Sequence, residues 1–386
     1  MSPTAEELVR AVHAAPLALV LAATGGGSRA IASLLETPGA SRTVLEAAVP
    51  YSAASLAAWL GAKPEHYCSQ RTARAMAMSA YQKARGYALA GDKPCDEATL
   101  AGVACTASLA SDRPKQGPHR VHLALQTASY TAARSLELQK GRRSRLEEER
   151  LTAALLLNLI AEAAGIEQRL DVELSTEERI VASRADAPTA WQDLLTGKVD
   201  SIAVQAADSE RKRPARLASG RRAILAGAFN PCHDAHRAMS RIASQTLGAP
   251  IEFELSIMNV DKPPLDYLEI SERAAQFGPD EMVWLSRAAT FVEKARVFGP
   301  ATFVVGADTI ARIADPKYYG GESARRQALE KLAAADCRFL VFGRRLAGGF
   351  VSLDDLRLPR ELRKLCEGVP EAAFRHDLSS TELRRP

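Results

Sequence analysis

A chain of 386 residues exceeds one ordinary domain and suits two. With 47% hydrophobic and 25% charged residues, it excludes the disordered and collagen-like classes. Fifty Lys and Arg against 46 Asp and Glu leave a net charge of +4, too mild to indicate a nucleic-acid partner. Aromatic residues are few while alanine is abundant, which suits helices packed closely through small side chains. The six cysteines (Cys68, Cys95, Cys105, Cys232, Cys337, Cys366) show no CxxC spacing and read as free thiols in a reducing compartment. No apolar run reaches the roughly 20 residues of a membrane-spanning helix. The start, with Glu6 and Glu7, is unlike a signal peptide. A soluble, cytoplasmic protein without a membrane partner is expected.

In chain order, Leu17 to Leu21 is a short apolar strand that runs into Thr24-Gly25-Gly26-Gly27 and then a helical pattern. Val103 to Thr106 and Val121 to Leu125 are further strands. Helices fit Thr72 to Arg85 and a long run from Tyr130 to Ala164, interrupted at Gly141. Residues 171–218 are polar and irregular, ending in the basic run Arg211 to Arg216, and read as a solvated linker. It divides an α/β domain over 1–170 from a second over 219–386. In the second, Ala223 to Ala226, Glu252 to Ile257, Thr302 to Val305 and Phe339 to Phe342 are apolar strands, each followed by a helix-like segment. A fifth strand fits Ala372 to His376. The alternation predicts a parallel, Rossmann-like sheet whose ligands bind at the carboxyl ends of its strands.

The first strand of that domain ends in Gly227-Ala228-Phe229-Asn230-Pro231-Cys232-His233-Asp234-Ala235-His236. Two histidines three apart at a helix start share one face, and the helix's first amides point the same way, which makes a site for phosphate oxygens. A pair of histidines that only caps the helix is the alternative. At the other end of the chain, Ser379, Ser380 and Thr381 offer hydroxyls and amides at a helix start, with Arg384 about one turn on. That is a second anion site suited to a polyphosphate. Ser379 and Glu382 also have the spacing of a capping box, and both readings hold together.

These motifs resemble the nucleotidyltransferase superfamily with the HxGH and ISSTxxR signatures. The block Val304-Val305-Gly306-Ala307-Asp308-Thr309, with Lys262-Pro263-Pro264 after the second strand, resembles its nicotinamide or nicotinate mononucleotide adenylyltransferase branch. The resemblance implies transfer of an adenylyl group from ATP to the mononucleotide, with pyrophosphate released. It places His233 and His236 on the ATP phosphates. Ser379, Ser380, Thr381 and Arg384 fall on the β- and γ-phosphates, with Mg2+ bridging them. Gly227, Phe229 and Asn230 form the nucleotide turn, Gly306 and Asp308 lie toward the adenosine, and Lys262 is either a contact to the acceptor or a phosphate, or an exposed loop lysine. One departure is Ala235, where the family has glycine; its methyl group crowds the backbone's approach to the nucleotide. A non-catalytic nucleotide sensor, a cytidylyltransferase and a pantetheine-phosphate adenylyltransferase are the alternatives.

The glycine turn at Thr24 could bind an anion or serve only close packing. With Val49-Pro50-Tyr51-Ser52 and the later strands, it resembles the C-terminal domain of CinA proteins, a nicotinamide mononucleotide deamidase family, over about residues 5–165. That family's Ser-Cys-Thr-Gly-Gly and Tyr-Ser-x-x-x-Lys fall here on Ala22 and Leu56 in place of the serine and the lysine. Neither can attack an amide or take a proton, so the resemblance implies a catalytically lapsed scaffold for binding or homo-oligomer assembly rather than an amidohydrolase. Thr24 is expected to cap the following helix, and His119 and His122 to be core or edge residues.

Overall fold

The computed structural model describes residues 2–91, 96–113, 115–204, 220–346 and 349–375. It holds two α/β units: unit 1 comprises Met1–Gln192 with Asp261–Ile270, and unit 2 comprises Asp193–Val260 with Ser271–Pro386.

Unit 1 begins with α1 (Ala5–Ala14), β1 (Ala18–Thr24), α2 (Ser28–Glu36), α3 (Ala40–Thr43) and β2 (Val44–Ala48). It continues through α4 (Ala53–Leu60), α5 (Gln70–Ala90), β3 (Leu100–Ser108), β4 (His119–Thr127), β5 (Tyr130–Leu138), α6 (Arg145–Ala163) and β6 (Val181–Asp186). The strands form a six-stranded mixed sheet in the order β2-β1-β3-β4-β5-β6. β1 pairs in parallel with β2 and β3, and the ladders from β3 to β6 are antiparallel. Leu19, Leu21, Val103, Val121 and Leu123 face α6 in the main core. On the opposite face Ala73, Ala77 and Met76 of α5 pack against Ala22, Ala104 and Ala124 of the sheet. The abundant alanine is used here. A Cβ on Gly102 would run into the backbone of Ala77 and Tyr81, so only glycine permits this approach of helix to strand.

The expected helix over 130–164 is instead β5 followed by α6. The segment from Tyr130 to Leu138 has residues compatible with either form, and pairing to β4 along its whole length decides for the strand. The stretch expected as linker carries β6, which closes the unit 1 sheet, then α7 (Thr189–Thr196) and β7 (Ser201–Ala203). Short, polar elements of this kind leave no apolar period to read. The basic run Arg211 to Arg216 lies outside the described residues.

Unit 2 continues with β8 (Arg222–Ala226), α8 (Asp234–Leu247), β9 (Glu252–Ser256), the second half of α9 (Tyr267–Ala274), whose first four residues are grouped with unit 1, and β10 (Val283–Ser286). Then come α10 (Phe291–Phe298), β11 (Ala301–Gly306), α11 (Ala307–Ala314), α12 (Glu322–Ala334) and β12 (Arg338–Phe342). The hairpin β13 (Arg344–Leu346) and β14 (Gly349–Val351), α13 (Arg360–Arg363) and β15 (Cys366–Gly368) complete the described elements. The seven-stranded sheet has the order β15-β12-β11-β8-β9-β10-β7. Every pairing in it is parallel except β10 with β7. Its central strands are buried along nearly their whole length, as a sheet covered on both faces requires. Ile224, Phe303, Val305, Phe339 and Val341 anchor one core layer under α10 to α12. On β9, Glu254 is fully buried and accepts both from Lys294 Nζ at 2.7 Å and from Ser286 Oγ at 2.5 Å. One edge strand of this sheet is Cys366–Gly368, and residues 371–373 form a turn where a strand over 372–376 was expected. Pro370 ends the pairing there, since proline has no N–H to donate to a ladder.

Candidate functional site

In unit 2 a cavity of about 260 Å³ opens at the carboxyl ends of β8, β11 and β12. Gly227, Phe229, Asn230, His233, His236, Gly306 and Asp308, all anticipated from the sequence, line it together. His233 is the N-cap of α8, and its backbone N–H donates to His236 Nδ1 at 3.3 Å. The two rings lie 4.0 Å apart between centroids, and Phe229 meets His236 edge-on at 5.2 Å. Burial, followed by the positive groups His233, Arg344 and Arg237, pushes the His236 pKa down to about 3. The ring is therefore neutral at pH 7. With Nδ1 accepting, its hydrogen is on Nε2, which is a donor.

Phe229 has a left-handed backbone, with φ of 44°, and is almost completely buried, and its carbonyl accepts from Gln276 Nε2 at 3.0 Å. Across the cavity a Cβ on Gly306 would lie 2.6 Å from Asp308 Oδ1, so glycine lets that carboxylate fold back over the end of β11. There both oxygens of Asp308 accept from Arg344 Nη1 at 3.1 Å. Arg344, Arg312 and Phe374 also line the cavity and were not anticipated. Arg344 follows Phe342-Gly343 at the carboxyl end of β12, so strand position was the signal that could have found it.

Ala235, the departure from the family glycine, lines the same cavity and is 6% exposed. Lys262 is exposed and belongs to the segment grouped with unit 1; it is not among the residues that line this cavity. Ser379, Ser380, Thr381 and Arg384 lie outside the described residues. Among the described residues no group of His, Cys, Asp and Glu could hold a metal ion. None of their helices is long and apolar enough to cross a membrane.

In unit 1 the glycine turn already holds an anion, and the chain itself supplies it. The Glu149 carboxylate accepts from the Gly27 N–H at 2.9 Å, from Ser28 Oγ at 3.0 Å and from the Arg29 N–H at 3.1 Å. This corrects two expectations. Thr24 ends β1 and does not cap α2, whose N-cap is Gly27, and an external anion would have to displace Glu149. Ala22 and Leu56 come together in one apolar cluster, 0% and 3% exposed. From β1 to β5 the row that carries Ala22 is alanine: Ala22 opposes Ala104, Ala104 opposes Ala124, and Ala124 opposes Ala133. His119 is buried with Nδ1 2.7 Å from Glu148 Oε1, a core histidine as expected. His122 is half-buried, with Nδ1 2.8 Å from Ser135 Oγ. Burial and then the charge of Arg120 push its pKa down to about 4.

No family model matches the chain. No curated protein matches it either. Solved structures similar to it include the competence/damage inducible protein CihA from Agrobacterium tumefaciens, 23% identical with a TM-score of 0.33. That similarity covers 42% of this chain and 98% of the other. A competence or damage-inducible protein from Enterobacter asburiae is 19% identical, with a TM-score of 0.33 and coverage of 42% and 99%. A competence-damaged protein (CinA) superfamily member from Escherichia coli is 16% identical, with a TM-score of 0.30 and coverage of 42% and 88%.

Proposed function

We propose that unit 2 transfers an adenylyl group from ATP to nicotinamide or nicotinate mononucleotide, giving NAD or deamido-NAD and pyrophosphate. The observation that carries this reading is the meeting of His233 and His236 with Gly306 and Asp308 in one cavity at the strand ends. An oxygen of the mononucleotide phosphate bonds to the α-phosphorus of ATP as the bond to the pyrophosphate oxygen breaks. The acceptor is already a nucleophile, so the protein has to position it and neutralise charge. His236 donates Nε2–H to an α-phosphate oxygen, the first amides of α8 point at the same charge, and Arg344 brings a guanidinium within reach of the phosphates. ATP enters with Mg2+ on its own phosphates, so the ion is part of the substrate.

Unit 1 is, in this proposal, a deamidase-like scaffold without its original chemistry, kept for binding or for assembly of a homo-oligomer. The apolar cluster that joins Ala22 to Leu56 supports it, because no nucleophile or base remains at those positions.

The test is pyrophosphate release from MgATP with each mononucleotide in turn, by the full chain and by His236→Ala. Release that depends on one acceptor and falls by about 10²- to 10³-fold in the variant supports the enzyme. Binding of ATP or mononucleotide without release from either acceptor replaces it with a nucleotide sensor.

A further inference from the structure

Two residues along the strands from the alanine row, the same face of the unit 1 sheet turns polar. Thr24, Thr106, His122 and Ser135 are directly opposed neighbours on β1, β3, β4 and β5, so their side chains share that face. Gln70, the first residue of α5, donates Nε2–H to Ser135 Oγ at 3.3 Å. A hydroxyl that accepts there has its own proton left for the neighbouring imidazole, whose Nδ1 is 2.8 Å away. His122 is neutral at pH 7, and in the tautomer that carries its hydrogen on Nε2 the Nδ1 accepts that proton. Ser135, His122, Gln70 and Arg120 are all half-buried, so the pair is not sealed in the core. Arg120 precedes His122 by two residues on β4 and shares its face. This is the arrangement of an activated nucleophile: a hydroxyl bonded to an uncharged base, with a cation beside it.

We propose that Ser135 and His122 form a nucleophile and base for hydrolysis of small esters whose acyl group carries a carboxylate, which Arg120 holds. Oγ forms a bond to the carbonyl carbon as the serine proton passes to Nδ1. The tetrahedral adduct collapses, its bond to the alcohol oxygen breaks, and that oxygen takes the proton back from the imidazolium. Water then repeats the sequence on the acyl-serine, which frees the carboxylic acid and restores both side chains. The site owes nothing to Ala22 or Leu56 and is independent of the chemistry proposed for unit 2.

The experiment treats the full chain with a fluorophosphonate probe, maps the adduct by peptide mass spectrometry, and follows hydrolysis of 4-nitrophenyl acetate and mono-4-nitrophenyl succinate. The expected adduct is on Ser135. Ser135→Ala and His122→Phe should each lower succinate-ester hydrolysis by at least about a hundredfold with unchanged circular dichroism. Ser135→Cys keeps an attacking atom in place and should remain acylated. The preference for the succinate ester should fall about tenfold or more in Arg120→Met. No adduct on Ser135, or labelling that His122→Phe leaves unchanged, overturns the proposal.

Discussion

In the proposed reaction, an imidazole that stays neutral at pH 7 would serve a phosphate by what it donates rather than by what it attracts. His236 is held neutral by burial and by three positive neighbours, so its use at the cavity is directional: one N–H aimed by the hydrogen bond at its other nitrogen. The same depression has a consequence for stability. A free histidine titrates near 6.5, whereas His236 and His122 in the folded chain titrate at about 3 and about 4. The unfolded state therefore binds protons first as the pH falls. The contribution of each neutral ring is fully present above pH 6.5 and is lost as the pH drops toward its folded value. Urea midpoints measured from pH 7.5 to 4.5 should decline for the native chain and decline less steeply for His236→Asn. An identical slope in the variant would remove His236 as a contributor. His233 and His236 were legible in the sequence because three-residue spacing at a helix start fixes their relation locally. Arg344 and Glu149 were not, since their partners lie 36 and 122 residues away and only packing joins them.

At the scale of elements, two close approaches define unit 1. The first is α5 on β3, where Gly102 faces the helix backbone. Gly102→Ala should force the two apart and destabilise the chain by about 1–3 kcal/mol or more, read by thermal or urea unfolding. The second is the start of α2 on Glu149. Glu149→Ala removes a carboxylate that satisfies two backbone amides and a hydroxyl, at a cost of about 1–3 kcal/mol. It should also open that helix end to inorganic phosphate, which would appear as a phosphate-dependent rise in the melting temperature of the variant alone. Most strands with continuous apolar runs were readable as strands, because a sheet covered on both faces leaves little choice of residue. β5 and β7 were not. Tyr130 to Leu138 suits helix and strand alike, and the three residues of β7 are too few to show a period.

At the scale of the whole molecule, neither unit is one continuous stretch of chain. The ten residues Asp261–Ile270 are built into unit 1 by hydrogen bonds to its first 192 residues. Asp266 accepts from Arg74 Nε at 3.1 Å, with both side chains under 7% exposed. The Tyr267 hydroxyl donates to the Ala128 carbonyl at 2.6 Å, and its N–H donates to Thr131 Oγ1 at 3.0 Å. Asp266→Ala leaves a buried guanidinium without this carboxylate and should cost about 3–5 kcal/mol, measured by urea unfolding of the full chain. A single linker between two modules was the natural reading of the sequence, since a segment that returns to an earlier fold carries no local mark of doing so. A ribosome meets the same fact in time. Arg74 emerges 192 residues ahead of Asp266, so most of the message is read before this buried pair on α5 can form. Formation of that pair is set by the progress of translation as well as by the speed of folding, and a transcript that ends before codon 266 yields an N-terminal half without it.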